Sequence, residues 1–151
     1  AMENLKKKKL DKFIEKVAKE NKPILGICLG MQLLFENSNE YGKNGGLNLL
    51  KGKVKKIDFK SSKLPVVGWF KIKAKNKSFI NKINNKNIYL VHSYECLPEN
   101  DKIVCGHYML KDKKKIICSV QQNNIFAVQF HPEKSDLAGI NILKSFYGFK
   151  K

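Results

Sequence analysis

The stretch Pro23-Ile24-Leu25-Gly26-Ile27-Cys28-Leu29-Gly30-Met31-Gln32-Leu33-Leu34-Phe35 decides how the rest of this 151-residue chain is read. Residues 24–28 form a short apolar run after a proline, which predicts a buried strand, and residues 31–35 predict the start of a helix. Glycines stand two places either side of Cys28. A strand turning sharply into a helix around such a residue is a nucleophile elbow, here in thiol form. The glycines are expected to remove side chains that would clash with neighbouring elements. The apex side chain is then presented at the carboxyl end of the strand and at a helix N-terminus, where the dipole favours thiolate over thiol. The backbone N–H of Leu29 is placed to meet a developing oxyanion. A small buried cysteine at a strand end is the plainer alternative, and the flanking glycines weigh against it.

Upstream, residues 3–20 read as one amphipathic helix, with Leu5, Leu10, Phe13, Ile14 and Val17 on one side. Asn21-Lys22-Pro23 ends it. Helix, buried strand and helix in this order predict an α/β unit with a parallel strand. Downstream, residues 37–46 are polar and glycine-rich and read as a loop. Strands are expected over 53–59, 66–74, 87–96 and 103–110. Residues 116–121 and 125–130 flank Gln122-Asn123-Asn124 and predict a hairpin. Residues 135–147 read as a closing helix with Leu137, Ile140, Leu143 and Phe146 on one face. No internal repeat divides the chain, and Lys60–Lys63 is the only soft connection, so residues 1–151 are expected to form one domain.

A thiol nucleophile needs a base, and the best candidate is His131 in Phe130-His131-Pro132-Glu133. It follows an apolar strand, so it too sits at a strand end. In an extended segment His131 and Glu133 point to the same side, which lets the carboxylate orient the imidazole and favour its cationic form. Taken alone, a polar turn without chemistry is the better explanation of this tripeptide. His92, in Val91-His92-Ser93-Tyr94, reads as structural or substrate-lining. His107 has no carboxylate at useful spacing and reads as a packing or surface residue. No set of His, Cys and carboxylates has metal-ligand spacing, so neither a metal nor a cofactor is expected. Residues 42–46 lack the glycine spacing and the Gly-Lys-Ser/Thr of a phosphate loop.

The formal net charge is +17, which normally raises a nucleic-acid hypothesis. All thirty cations are lysine, and arginine is absent. Base-edge readout and bidentate phosphate clamps favour arginine, and the lysines are spread along the chain, so solvated faces are the expected reading and nucleic acid is not an expected partner. No apolar run reaches the roughly 18–20 residues of a membrane span. The charged N-terminus lacks the apolar stretch of a secretion signal. Four cysteines, Cys28, Cys96, Cys105 and Cys118, show no disulfide framework, which fits a reduced, cytoplasmic protein.

The segment from Pro23 to Phe35 resembles the nucleophile segment of the class I (triad) glutamine amidotransferases, and more narrowly that of the glutaminase subunits of imidazole glycerol phosphate synthase. Further matches follow in the family's order: Gly46-Leu47 with Gly52-Lys53-Val54, Gly68-Trp69, Val91-His92-Ser93-Tyr94, and Gln129-Phe130-His131-Pro132-Glu133-Lys134-Ser135. The resemblance runs from about residue 1 to the end. It implies a flavodoxin-like three-layer sandwich around a mixed sheet. It implies a Cys28-His131-Glu133 triad, glutamine contacts near Gln32, Ser93 and Tyr94, and a barrel-shaped cyclase subunit as heterodimeric partner and ammonia acceptor.

Two departures shape these expectations. The family domain is longer at its N-terminus by several tens of residues, which carry the first strands and a glycine-containing oxyanion loop. The resemblance therefore implies a partial domain, with the Cys28 strand short of neighbours and its apolar edge exposed. One oxyanion donor fewer is worth roughly 10²–10³ in rate. The family's Pro-His-Met-Gly-Trp-Asn segment here reads Pro65-Val66-Val67-Gly68-Trp69-Phe70. That change keeps open a paralogue feeding ammonia to another acceptor, such as a synthase amidating a surface sugar, and the shorter N-terminus keeps open an inactive remnant.

Overall fold

The computed structural model describes residues 1–40, 42, 44–58 and 64–149. The elements run α1 (Met2–Lys7), α2 (Leu10–Lys19), β1 (Ile24–Ile27), α3 (Leu29–Leu33), β2 (Phe35–Ser38), β3 (Asn44–Gly45), β4 (Leu50–Lys56), β5 (Val66–Ala74), β6 (Asn87–His92), β7 (Tyr94–Pro98), β8 (Val104–Met109), β9 (Lys115–Gln122), β10 (Ile125–Val128) and α4 (Asp136–Tyr147).

Alternating and continuous apolar runs build two sheets. The larger has the order β1-β10-β9-β8-β5-β6, and the smaller β3-β2-β4-β7. In the larger sheet β1 and β10 are parallel, with Ile24 opposite Ile125 and Ile27 opposite Val128, whereas the other pairs are antiparallel. One core lies between this sheet and α4, where Ile142 meets Ile72, Leu90, Ile116 and Val128. The second lies on the other side, where Met31 and Leu34 of the α3 turn meet Leu50, Val54, Cys96, Val120 and Ala127. Layers on both faces of a mixed sheet give the three-layer α/β architecture expected. The predicted parallel strand is β1, which the structure pairs with β10, and the predicted hairpin is β9-β10, turned at Asn123 with φ 52°.

Several expectations are corrected. The single helix over 3–20 is two helices, broken where Lys9 adopts a left-handed φ of 56°. Four successive lysines crowd like charges onto one turn there, which weakens helix continuity. Phe35 begins a strand rather than extending a helix. Asn37 and Ser38 pair with Gly45 and Asn44, so part of the expected loop is a short ladder. Tyr41, Lys43 and the soft connection Lys60–Lys63 lie outside the described residues. The expected strand over 87–96 is two strands. β6 joins the large sheet and β7 the small one, and the chain crosses between them at Ser93.

The apolar face read on the closing helix is largely outward: Leu137 is 75% exposed, with Ile140 and Leu143 also exposed. The helix buries Gly139 and Ile142 instead, and Phe146 packs edge-on to Phe126. Gly139 explains the choice. A Cβ there would stand 1.8 Å from the Pro132 carbonyl oxygen, so only glycine lets this helix approach residues 131–133 so closely.

β1 is an edge strand of the large sheet. Beside it runs a 410 Å³ groove lined by apolar side chains, among them Leu5, Phe13, Ile14, Leu25 and Leu33.

Candidate active site

Cys28 ends β1 and caps α3 with φ 50° and ψ −106°, a conformation that L-residues adopt at a cost. The surroundings impose it. The Cys28 N–H donates to the Val128 carbonyl at 2.8 Å, completing the parallel ladder, and the chain then turns directly into the helix. Gly26 is required: a Cβ there would lie 2.7 Å from Leu34 Cδ1 and 3.0 Å from the Gly30 backbone. Gly30 is different. Nothing lies within 4 Å of a Cβ built on it, so the expected steric demand holds on one side of the elbow only.

Burial pushes the Cys28 thiol above its ordinary value. The Leu29 backbone N–H and the Gln129 carboxamide pull it back down, and the Glu133 and Glu40 carboxylates add to the rise. The Leu29 N–H at the helix terminus thus favours thiolate in the direction expected. α3 has a single turn to contribute, and desolvation outweighs it.

His131 lies just past β10, the strand paired with β1, so both groups sit at the carboxyl ends of adjacent parallel strands. Its Nδ1 is 2.7 Å from Glu133 Oε1. A carboxylate only accepts, so Nδ1 carries a proton. Nε2 of the same ring is buried and has no partner among the described residues. Glu133 is held below its ordinary carboxyl range: burial works against this, while its own backbone N–H and His131 prevail.

The base segment is tied down on several sides. The His131 N–H donates to Tyr89 O at 3.0 Å, the Ser135 hydroxyl donates to His131 O at 2.6 Å, and the Tyr89 N–H donates to Ser135 Oγ at 3.0 Å. Sequence reasoning missed the role of Ser135. Its signal was only a serine shortly after His-Pro-Glu.

A cleft of 520 Å³ opens at Cys28, lined by Leu29, Gln32, Glu40, His92, Ser93 and Tyr94 among others. The three residues expected near glutamine thus share the cleft with Cys28. The Gln32 amide nitrogen is engaged internally, 3.2 Å from Gln129 Oε1 and 3.5 Å from Tyr94 O. His92 is clamped between Tyr94 O at Nδ1 and the Tyr108 hydroxyl at Nε2, both at 2.8 Å. Burial lowers its pKa to about 4, so it stays neutral and acts as a strut. Among the described residues no group of three His, Cys, Asp or Glu is placed to hold a metal ion. No helix among them is long and apolar enough to cross a membrane.

A cysteine at a strand–helix elbow, an imidazole oriented by a carboxylate and a cleft of mixed polarity suit acyl transfer from an amide. The family model described as Glutamine amidotransferase class-I matches residues 4–147. Two solved glutamine amidotransferases share the fold. One superposes with a TM-score of 0.69 at 15% identity, covering 95% of this chain and 71% of that one. Another, from Thermotoga maritima, has a TM-score of 0.57 at 17% identity, covering 93% and 53%. The chain belongs to the class I glutamine amidotransferases.

Its curated relatives narrow the class. Imidazole glycerol phosphate synthase subunit HisH of Chlorobaculum tepidum is 40% identical over 152 residues, spanning 99% of this chain and 75% of that protein. The subunit of the same name from Bacillus subtilis is 41% identical over 154 residues, spanning 97% and 71%. Within the class, this chain falls among the HisH subunits.

Proposed function

We propose that this chain is the glutamine-hydrolysing subunit of an imidazole glycerol phosphate synthase, acting in histidine biosynthesis in the cytoplasm. Residues 1–151 form one amidotransferase domain. The observation that carries the reading is that Cys28 and the hydrogen-bonded His131–Glu133 pair follow the carboxyl ends of two adjacent parallel strands, with Cys28 lining a cleft.

Glutamine enters the cleft with its side-chain amide toward Cys28, against Gln32, Ser93 and Tyr94. His131 Nε2 takes the thiol proton, and Glu133 stabilises the imidazolium through Nδ1. Sγ attacks the amide carbon, and the Leu29 N–H donates to the oxyanion. The tetrahedral adduct collapses, the C–N bond breaks and His131 protonates the departing amine, so ammonia leaves a γ-glutamyl thioester. Water, deprotonated by the same imidazole, attacks the thioester and releases glutamate and the thiol. Ammonia passes to a cyclase subunit of the barrel type, the partner in a heterodimer.

Val66 is buried, and Phe70 packs its ring 4.9 Å from Tyr108, so two of the three departures in residues 65–70 face inward, whereas the third, Val67, is exposed. Val67 and Trp69 of the same strand are the exposed apolar residues.

The test is glutamine hydrolysis by the chain with and without a cyclase subunit, alongside labelling by a glutamine-mimicking electrophile. The reading expects label on Cys28 and turnover abolished by Cys28→Ser. Turnover that survives Cys28→Ser overturns it.

A further inference from the structure

We propose that Gln129 is a positioning residue for the nucleophile, donating a hydrogen bond from its buried carboxamide to Cys28 Sγ and itself held in orientation by Gln32 and the Tyr94 carbonyl. The inference rests on Cys28 being the nucleophile.

Gln129 is fully buried, in the otherwise apolar run Ile125-Phe126-Ala127-Val128-Gln129-Phe130. A carboxamide buried there costs free energy unless its polar atoms are satisfied, so its presence calls for a cause. The sheet register supplies one. Ile27 stands opposite Val128 across the parallel ladder, so the next step along both strands brings Cys28 beside Gln129. Gln129 Nε2 is 3.6 Å from Cys28 Sγ.

The direction of the amide follows from a chain of constraints. The Tyr94 carbonyl can only accept, so it fixes which end of the Gln32 amide faces it. The second Gln32 N–H then requires an acceptor, which makes the facing atom of Gln129 its Oε1. Gln129 Nε2 is left facing the sulfur. Reversing the Gln129 amide would set two N–H donors against each other.

The groups whose charge bears on Cys28 are Glu133, Glu40 and the buried Cys96, with His131 at the end of the neighbouring strand. The two carboxylates oppose thiolate. Gln129 adds a fixed N–H on the opposing side. When His131 takes the proton, the growing negative charge on sulfur strengthens this bond without any reorganisation. The carboxamide also restrains the Cys28 side chain, so that the thiolate has one preferred direction.

The test is the pH dependence of Cys28 alkylation by iodoacetamide on the full chain, located by mass spectrometry. Cys96, Cys105 and Cys118 are buried, so Cys28 is the reactive thiol. Gln129→Leu is expected to move the titration midpoint upward and slow alkylation at pH 7 about tenfold. Gln32→Leu frees the Gln129 amide without removing it, and should shift the profile the same way by about threefold. An unchanged midpoint in folded Gln129→Leu overturns the inference. If that variant does not give a native melting transition, Gln129→Asn, one methylene shorter, must show the upward shift, and an unchanged profile there overturns the inference equally. The two readings fail separately. Turnover that survives Cys28→Ser removes the nucleophile, whereas abolished turnover with a wild-type Gln129→Leu profile removes only the hydrogen bond.

Discussion

The adjacent strand ends that carry Cys28 and His131 are built differently. Cys28 ends an edge strand, paired on one side to β10, and its geometry depends on a strained φ and the close approach of Gly26 to α3. His131 leaves an inner strand and is gripped from β6, from Ser135 and from Gly139 of α4. The base is thus fixed by many small contacts with the protein's interior. The nucleophile is fixed by a few, and those are local. The lesson is that the reactive sulfur depends on its neighbours Gln129 and Leu29, whereas the imidazole depends on the fold as a whole.

The largest effect expected is on turnover. His131→Ala should lower glutamine hydrolysis by roughly 10²–10⁴ with the fold intact, read as steady-state rate beside a thermal melt. Glu133→Gln should lose less, roughly tenfold to a hundredfold, because its half-exposed carboxylate works partly in solvent. Equal losses at the two positions would show that the carboxylate does more than orient the ring.

Gly139→Val probes the grip on the base. With a Cβ 1.8 Å from the Pro132 oxygen, α4 and residues 131–133 must separate. A cost of about 3 kcal/mol in urea unfolding is expected, together with lost turnover. Wild-type activity in that variant would mean that the base does not need the helix.

His92 gives a pH signature. Folded, it titrates at about 4, against an ordinary 6.5. Below about pH 6.5 the unfolded chain takes up a proton that the folded chain refuses. The contribution of His92 is therefore whole above 6.5 and is lost as pH falls toward 4, by about 3 kcal/mol at the limit. Melts across that range should show the loss, and His92→Gln should flatten it. The smallest effect concerns the elbow itself. Gly26→Ala should destabilise by about 1–3 kcal/mol, whereas Gly30→Ala, open in space and helical, should stabilise by up to about 1 kcal/mol.

The strand–turn–helix around Cys28, the β9-β10 hairpin and the strand over 66–74 were legible because their signals are local: apolar runs, glycine and asparagine. His131 with Glu133 was legible for the same reason. The crossing at Ser93 was not, because apolar alternation runs through 87–96 without a break and says nothing about which sheet each half joins. The buried face of α4 was misjudged because large side chains at helical spacing draw the eye, while a small residue permits the closest packing. The Gln32–Gln129 pair spans 97 positions, and only the parallel register brings it together.

The charge of this chain has a colloidal consequence. Among the described residues the backbone groups of Leu25 and Ile27 that point away from β10 have no strand partner, and the flanking surface is apolar, the kind of edge along which chains adhere. At low ionic strength a formal charge of +17 keeps copies apart. Salt shortens the range of that repulsion, to about 3 Å at 1 M, and leaves the hydrogen-bonding edge untouched. The lysines scattered over this chain thus act as a dispersant, and concentrated salt takes that protection away.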